Sequence, residues 1–107
     1  MKSKNLYFPI PTSTLGFLIK RKRLNCILHS SIYYVLDDNL IDDHTFDKLC
    51  KDTVQLLQYY PFEYSDRFDE YFKDWTGASG HHFPIRDPWV LGKAQYLINI
   101  NKEHNNE

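Results

Sequence analysis

Long apolar runs are missing from this sequence, and nothing in it approaches the ~20 residues needed to span a bilayer as a helix. The basic start Met1-Lys2-Ser3-Lys4 is followed only by Leu6 to Ile10, a stretch too short and too proline-broken for a signal core, so a cytoplasmic location is expected. Cysteine is scarce: Cys26 and Cys50 are the two in 107 residues. They cannot build a four-cysteine zinc site, and both lie in apolar helical patterns, so free thiols packed as small hydrophobes in a reducing compartment are expected. An excess of positive charge is also lacking. Thirteen Lys and Arg against fourteen Asp and Glu give a net charge of −1, which argues against a dedicated nucleic-acid binder. The block Lys20-Arg21-Lys22-Arg23 points round most of a helix circumference and reads as a solvated face.

Catalytic motifs are missing too. Thr76-Gly77-Ala78-Ser79-Gly80 has the composition of a phosphate cradle, but no Gly-Lys-Ser/Thr follows it, so it reads as a linker. His81-His82, near Ser79 and Asp87, offers no third ligand at a recognisable spacing and reads as loop histidines without a role. Asp37-Asp38 and Asp42-Asp43 fall at a turn, where they stay solvated. No metal site and no enzyme reading survives.

What the chain does have is helical periodicity and aromatic rings, at 42% hydrophobic and 16% aromatic residues. One mainly α domain over 1–107 is expected, with four helices round one core. Residues 1–11, with Pro9 and Pro11, read as an extended arm. Thr12 or Ser13 caps a first helix over about 13–36, whose stripe is Leu15, Leu18, Ile19, Leu24, Ile27, Leu28, Ser31, Ile32 and Val35. Asp37-Asp38-Asn39 turns the chain. A second helix over about 43–60 starts on acidic caps, buries Phe46, Leu49, Cys50, Thr53, Leu57 and Tyr60, and stops at Pro61. A third is expected over about 65–75 with Phe68, Tyr71, Phe72 and Trp75 on one face. Asp87-Pro88 restarts the chain as a fourth over about 88–100, with Val90, Leu91, Ala94, Leu97 and Ile98 inward. Residues 101–107 read as a polar tail.

Tyr59 to Trp75 holds eight aromatics among five acids and two bases. Such a segment suits a protein contact, because tyrosine and tryptophan bury large area at small entropic cost. Tyr64, Asp69, Glu70 and Tyr71 are the residues expected to carry it.

The stretch Leu28-His29-Ser30-Ser31-Ile32-Tyr33-Tyr34-Val35-Leu36-Asp37-Asp38-Asn39, continuing into Leu40-Ile41-Asp42-Asp43-His44-Thr45-Phe46-Asp47-Lys48-Leu49, resembles the N-terminal helical domain of NAD-dependent DNA ligases. Tyr-His/Tyr-hydrophobic-hydrophobic-Asp at the end of one helix and Ile-x-Asp-x-x-Tyr-Asp-x-Leu opening the next are that family's frame. In the family this domain grips the nicotinamide mononucleotide half of NAD, while a lysine in a following domain attacks the adenylyl phosphorus. The resemblance places the first stacking tyrosine on Tyr33, its polar neighbour on Tyr34, the two acids on Asp43 and Asp47, and the second aromatic on Phe46. Tyr34 stands where histidine is common and Phe46 where the family has tyrosine, which removes hydrogen-bonding capacity at both. No Lys-x-Asp-Gly occurs, so the nucleophile for adenylation is absent. The chain looks like the stand-alone ligase-like proteins of bacteriophage genomes.

The spacing also makes physical sense by itself. Asp43 and Asp47 are four apart on one helical face with Phe46 beside them, and a short turn can bring Tyr33 close. Rings stack on a nicotinamide; carboxylates accept from ribose hydroxyls. The same residues equally suit a structural role, with Asp43 serving the helix terminus, Asp47 solvated, and Tyr33 and Phe46 stapling the hairpin.

The leading expectation is therefore a non-catalytic binding protein, viral in origin, that contacts a host or viral protein in the host cytoplasm, for example to inhibit a host enzyme or defence system. The alternative is an accessory that binds NAD or nicotinamide mononucleotide, or the small subunit of a split ligase. No other cofactor, no nucleic acid and no membrane is expected.

Overall fold

A computed structural model describes residues 12–105; the arm expected over 1–11 lies outside the described residues. Four helices follow in chain order: α1 (Thr12–Tyr34), α2 (Asp43–Tyr59), α3 (Asp69–Phe72) and α4 (Pro88–Asn105). Among the described residues there is no strand, so the fold is mainly α as expected.

The central element is α1, which packs against both α2 and α4. It buries Ile19, Ile27, Leu28, Ser31 and Ile32 from its expected stripe, and adds Cys26 and Ser30. Leu18, expected inward, is 43% exposed. In its place one member of the basic block turns in: Arg23 is buried, while Lys20 and Arg21 stay in solvent. The Arg23 guanidinium meets Asp66 Oδ1 at 2.5 Å and Asp69 Oδ1 at 2.9 Å, and lies 4.8 Å from the centre of the Phe72 ring. A solvated-face reading therefore fails for this residue, because carboxylates and an aromatic face replace its water.

α1 ends where Asp37 adopts a left-handed backbone (φ +53°), a conformation that Asp tolerates better than most residues. α2 begins on Asp42, whose Oδ1 accepts from Thr45 N–H at 2.7 Å. That bond, helped by the Thr45 side chain, holds the Asp42 carboxyl below its ordinary range. α2 buries Cys50 and Thr53, but Tyr60, expected inward, lies past the helix end and is 42% exposed.

The third helix is much shorter than the expected 65–75. The Asp66 carboxylate accepts from Phe68 N–H at 2.8 Å and the Asp69 carboxylate from Asp66 N–H at 2.9 Å, so local side-chain bonds compete with helical ones. Beyond Phe72, Lys73 is extended and Asp74 has φ +62°. The expected face survives without the helix. Phe72, Trp75 and Phe83 form an aromatic cluster with ring centroids 4.9–5.5 Å apart.

α4 starts as expected, with Asp87 Oδ1 accepting from Trp89 and Val90 N–H groups and Pro88 in the first turn. It runs to Asn105, so residues 101–105 are helix and not tail. Lys102 and His104 in its last turn suit the negative end of the helix. Val90, Ala94 and Ile98 complete the core with Phe68, Phe83 and Ile85.

The segment joining α3 to α4 lies on α1 through two small side chains. Ser31 Oγ donates to Ile85 O at 2.7 Å, and Gly80 sits so close to Ser30 that a Cβ there would overlap the Ser30 hydroxyl. This docking presents residues 77–79 to the far end of the α1–α2 hairpin.

Candidate functional site

The hairpin turn is eight residues long and holds α1 and α2 far enough apart at that end to leave a cleft of about 320 Å³. Four stretches of chain line it. The last turns of α1 give His29, Tyr33 and Tyr34, and the turn gives Asn39, Leu40 and Ile41. The first two turns of α2 give Asp43, Phe46, Asp47 and Cys50, and the α3–α4 segment gives Gly77, Ala78 and Ser79. All five residues singled out by the ligase resemblance, Tyr33, Tyr34, Asp43, Phe46 and Asp47, thus face one cavity.

Helical spacing explains the convergence. Asp43, Phe46, Asp47 and Cys50 recur at intervals of three and four, so one side of α2 carries two carboxylates at the rim and a thiol at the floor. On α1, His29 and Tyr33 are four apart and share a face. Tyr33 is 54% exposed, with its ring edge-on to Tyr34 at 5.0 Å. Tyr34 in turn stacks on His81, with centroids 3.8 Å apart and planes inclined by 30°. His81, read from sequence as a residue without a role, thus buttresses a ring of the cleft. Its neighbour His82 makes a 2.7 Å bond to Tyr71 O.

The polar groups are unequally committed. Asp47 Oδ2 meets Lys51 Nζ at 3.0 Å, one turn on. Asp43 makes no side-chain hydrogen bond or ion pair among the described residues, and Asp42 provides the cap expected of it or Asp43. Burial pushes the His29 imidazole below its ordinary value, favouring the neutral ring. At the floor, contact with the Cys26 sulfur, together with burial, pushes the Cys50 thiol up, so it is protonated and poorly nucleophilic. Among the described residues no three His, Cys, Asp or Glu side chains cluster as a metal site.

The fourth wall was invisible in the sequence. Gly77 has φ +87°, which side-chain-bearing residues rarely adopt, and a Cβ there would crowd Val54 Cγ2 at 3.3 Å and touch the Cys50 carbonyl. The Trp75 indole donates to Ser79 O at 2.8 Å and closes the loop on itself. Residues 76–80 therefore form a fixed wall, where composition alone implied a linker.

The residues expected to contact a partner lie elsewhere. Tyr64, Asp69 and Glu70 border a second, open depression of about 480 Å³ that also includes Arg23, Pro61 and Phe62. Tyr71 is not among its lining residues and is half-buried. Tyr64 donates to Asp66 Oδ2 at 2.7 Å; burial, reinforced by Asp66, pushes its phenol up to about 12. Asp69 accepts from Ser65 Oγ as well as pairing with Arg23. Burial opposes ionisation of its carboxyl, but these bonds and the Asp66 N–H outweigh it and hold the group below its ordinary range. Glu70 is exposed. The largest apolar exposure nearby belongs to residues not singled out: Phe62 is 96% and Tyr59 72% exposed.

No helix of the described residues is long and apolar enough to cross a membrane. Compared with protein-family models, curated proteins and solved structures, the chain matches none.

Proposed function

We propose that the protein is a non-catalytic ligand-binding protein whose site is the hairpin cleft, and that it takes the nicotinamide–ribose end of a pyridine nucleotide. The observation that carries this reading is the convergence of Tyr33, Tyr34, Asp43, Phe46 and Asp47 on one cavity. A cleft near 320 Å³ lies at the small end of ligand pockets and is suited to one ring and its sugar. Tyr33 and Phe46 supply faces for stacking, while Asp43 and Asp47 supply acceptors for ribose hydroxyls. The raised Cys50 thiol and the absence of Lys-x-Asp-Gly fit binding without adenylation.

The open cleft predicts weak affinity, with a dissociation constant near the millimolar range, or about −4 kcal/mol. Ligand-observed NMR with nicotinamide mononucleotide and NAD tests the reading, and Asp47→Ala should abolish saturable binding while leaving the helical circular dichroism unchanged. Absence of saturable binding at millimolar concentrations of every pyridine ligand would refute it.

A second reading, contact with a host or viral protein, is favoured by a different observation. Tyr59, Tyr60 and Phe62 are all exposed around Pro61, beyond what a solvated surface requires. The viral origin and cytoplasmic setting belong to this proposal. Capture of a defined partner that is lost in Phe62→Ser, with the cleft intact, would establish it over the first.

A further inference from the structure

Two thiols play no part in ligand binding, and they meet where α1 packs on α2. Cys26 and Cys50 are 0% and 1% exposed, are both free, and belong to one core cluster. Thr53 follows Cys50 by one turn on the same face of α2, and its Oγ1 lies 3.4 Å from Cys26 Sγ. The Cys26 sulfur therefore sits over the Cys50–Thr53 turn, where the Cys50 S–H donates to it. On its other side Cys50 forms the floor of the hairpin cleft of about 320 Å³. A small molecule entering that cleft reaches the sulfur pair, although neither thiol meets bulk solvent.

We propose that Cys26 and Cys50 are a modification site, which hydrogen peroxide converts to a reversible disulfide tying α1 to α2 at the cleft floor. Cys26 is the attacking sulfur. The hydrogen bond from Cys50 holds its thiol below the ordinary range in spite of burial, whereas the same contact and burial push Cys50 up. The Cys26 thiolate attacks one peroxide oxygen, so an S–O bond forms and the O–O bond breaks. The departing hydroxide takes up the proton that Cys26 released, leaving a sulfenic acid and water. Cys50 sulfur then attacks the sulfenyl sulfur. The S–S bond forms, the S–O bond breaks, and the Cys50 proton leaves with the hydroxide as a second water. Both sulfurs are oxidised and the peroxide oxygens are reduced. The cross-link closes a loop that contains Tyr33, Tyr34 and the hairpin turn, so oxidation locks the hairpin by restricting the unfolded chain.

The test is treatment of the folded full chain with hydrogen peroxide, followed by peptide mapping without reductant and by thermal melting. The two cysteine peptides should appear as one cross-linked pair about 2 Da lighter than their sum, separated again by dithiothreitol. The oxidised chain should melt about 10 °C higher. Cys50→Ser keeps a hydroxyl donor beside Cys26 but removes the second sulfur, so Cys26 should stop at a sulfenic acid that dimedone traps. Cys26→Ser should leave Cys50 a free thiol. Cysteines that stay reduced in the natural chain, or that cross-link only between chains, would overturn the proposal whether or not either variant folds. A lower melting temperature on cross-linking would overturn the lock, and dimedone capture of Cys50 in Cys26→Ser would overturn the assignment of the attacking sulfur.

Discussion

The middle and the C-terminal end of α1 handle charge in opposite ways. Near its middle, Arg23 is buried between Asp66, Asp69 and two aromatic rings, so positive and negative groups consume each other inside the fold. At its C-terminal end, beside Tyr33 and Tyr34, the facing carboxylates of Asp43 and Asp47 border an open cleft, and only Asp47 has a partner. The lesson is that acid-rich sequence alone does not locate a binding surface. Asp69 and Asp43 look alike in the sequence; one is a structural counter-ion and the other is uncommitted.

The largest effect should come from breaking the first region. Arg23→Met keeps most of the apolar stem but strands two carboxylates. Their partial exposure discounts the usual cost of an orphaned buried partner, leaving about 2–3 kcal/mol of lost stability in urea titration. A loss within ~0.5 kcal/mol, typical of surface sites, would mean that the guanidinium is solvated after all.

A smaller effect is expected at the joint between the regions. Ser31→Ala leaves Ile85 O without its 2.7 Å donor in a fully buried setting and should cost about 1 kcal/mol. Because this bond docks the segment leading from the cleft wall, hydrogen exchange should accelerate at residues 77–85 more than in α2. Uniform acceleration would break the proposed link between docking and wall.

The smallest effect is a pH dependence at the cleft. Burial lowers the folded-state pKa of His29 below its ordinary 6.5, so the unfolded chain takes up the proton first. The associated stability is present above 6.5 and is lost as pH falls from there toward the folded value. His29→Gln should flatten the stability profile below 6.5 without changing the acid limb below about pH 4, which belongs to Asp42, Asp69 and Asp87. Asp87 is held low chiefly by Arg67. An unchanged profile in the variant would place the slope on other groups.

Much of this architecture was legible because local chemistry dictated it. Asp42 and Asp87-Pro88 mark helix starts whose side-chain oxygens accept the first free N–H groups. The periodic stripes of α1 and α4 brought Ile27, Ile32, Val90, Ala94 and Ile98 to the core. The hairpin side of the cleft was legible for the same reason, since spacings of three and four fix a helical face. Three features depended on tertiary structure and were not. Nothing in a Lys-Arg-Lys-Arg block says which residue turns inward, because that depends on Asp66 and Asp69, more than forty residues away. The third helix reads well by period, yet the same acids divert its N–H groups. The wall at 77–79 is held against the hairpin by Ser30, Ser31 and Gly80, by Gly77 beside Cys50 and Val54, and by the stack of His81 on Tyr34, contacts that leave no periodic signal.

The most direct test of the central claim, that the cleft is a ligand site, is a two-dimensional NMR titration of the full chain with nicotinamide riboside. Shifts should saturate in the millimolar range and cluster on Tyr33, Tyr34, Asp43, Phe46, Asp47 and the 77–79 wall, leaving Tyr59 and Phe62 unmoved. An unchanged spectrum, or shifts confined to the Tyr59–Phe62 surface, would contradict the account.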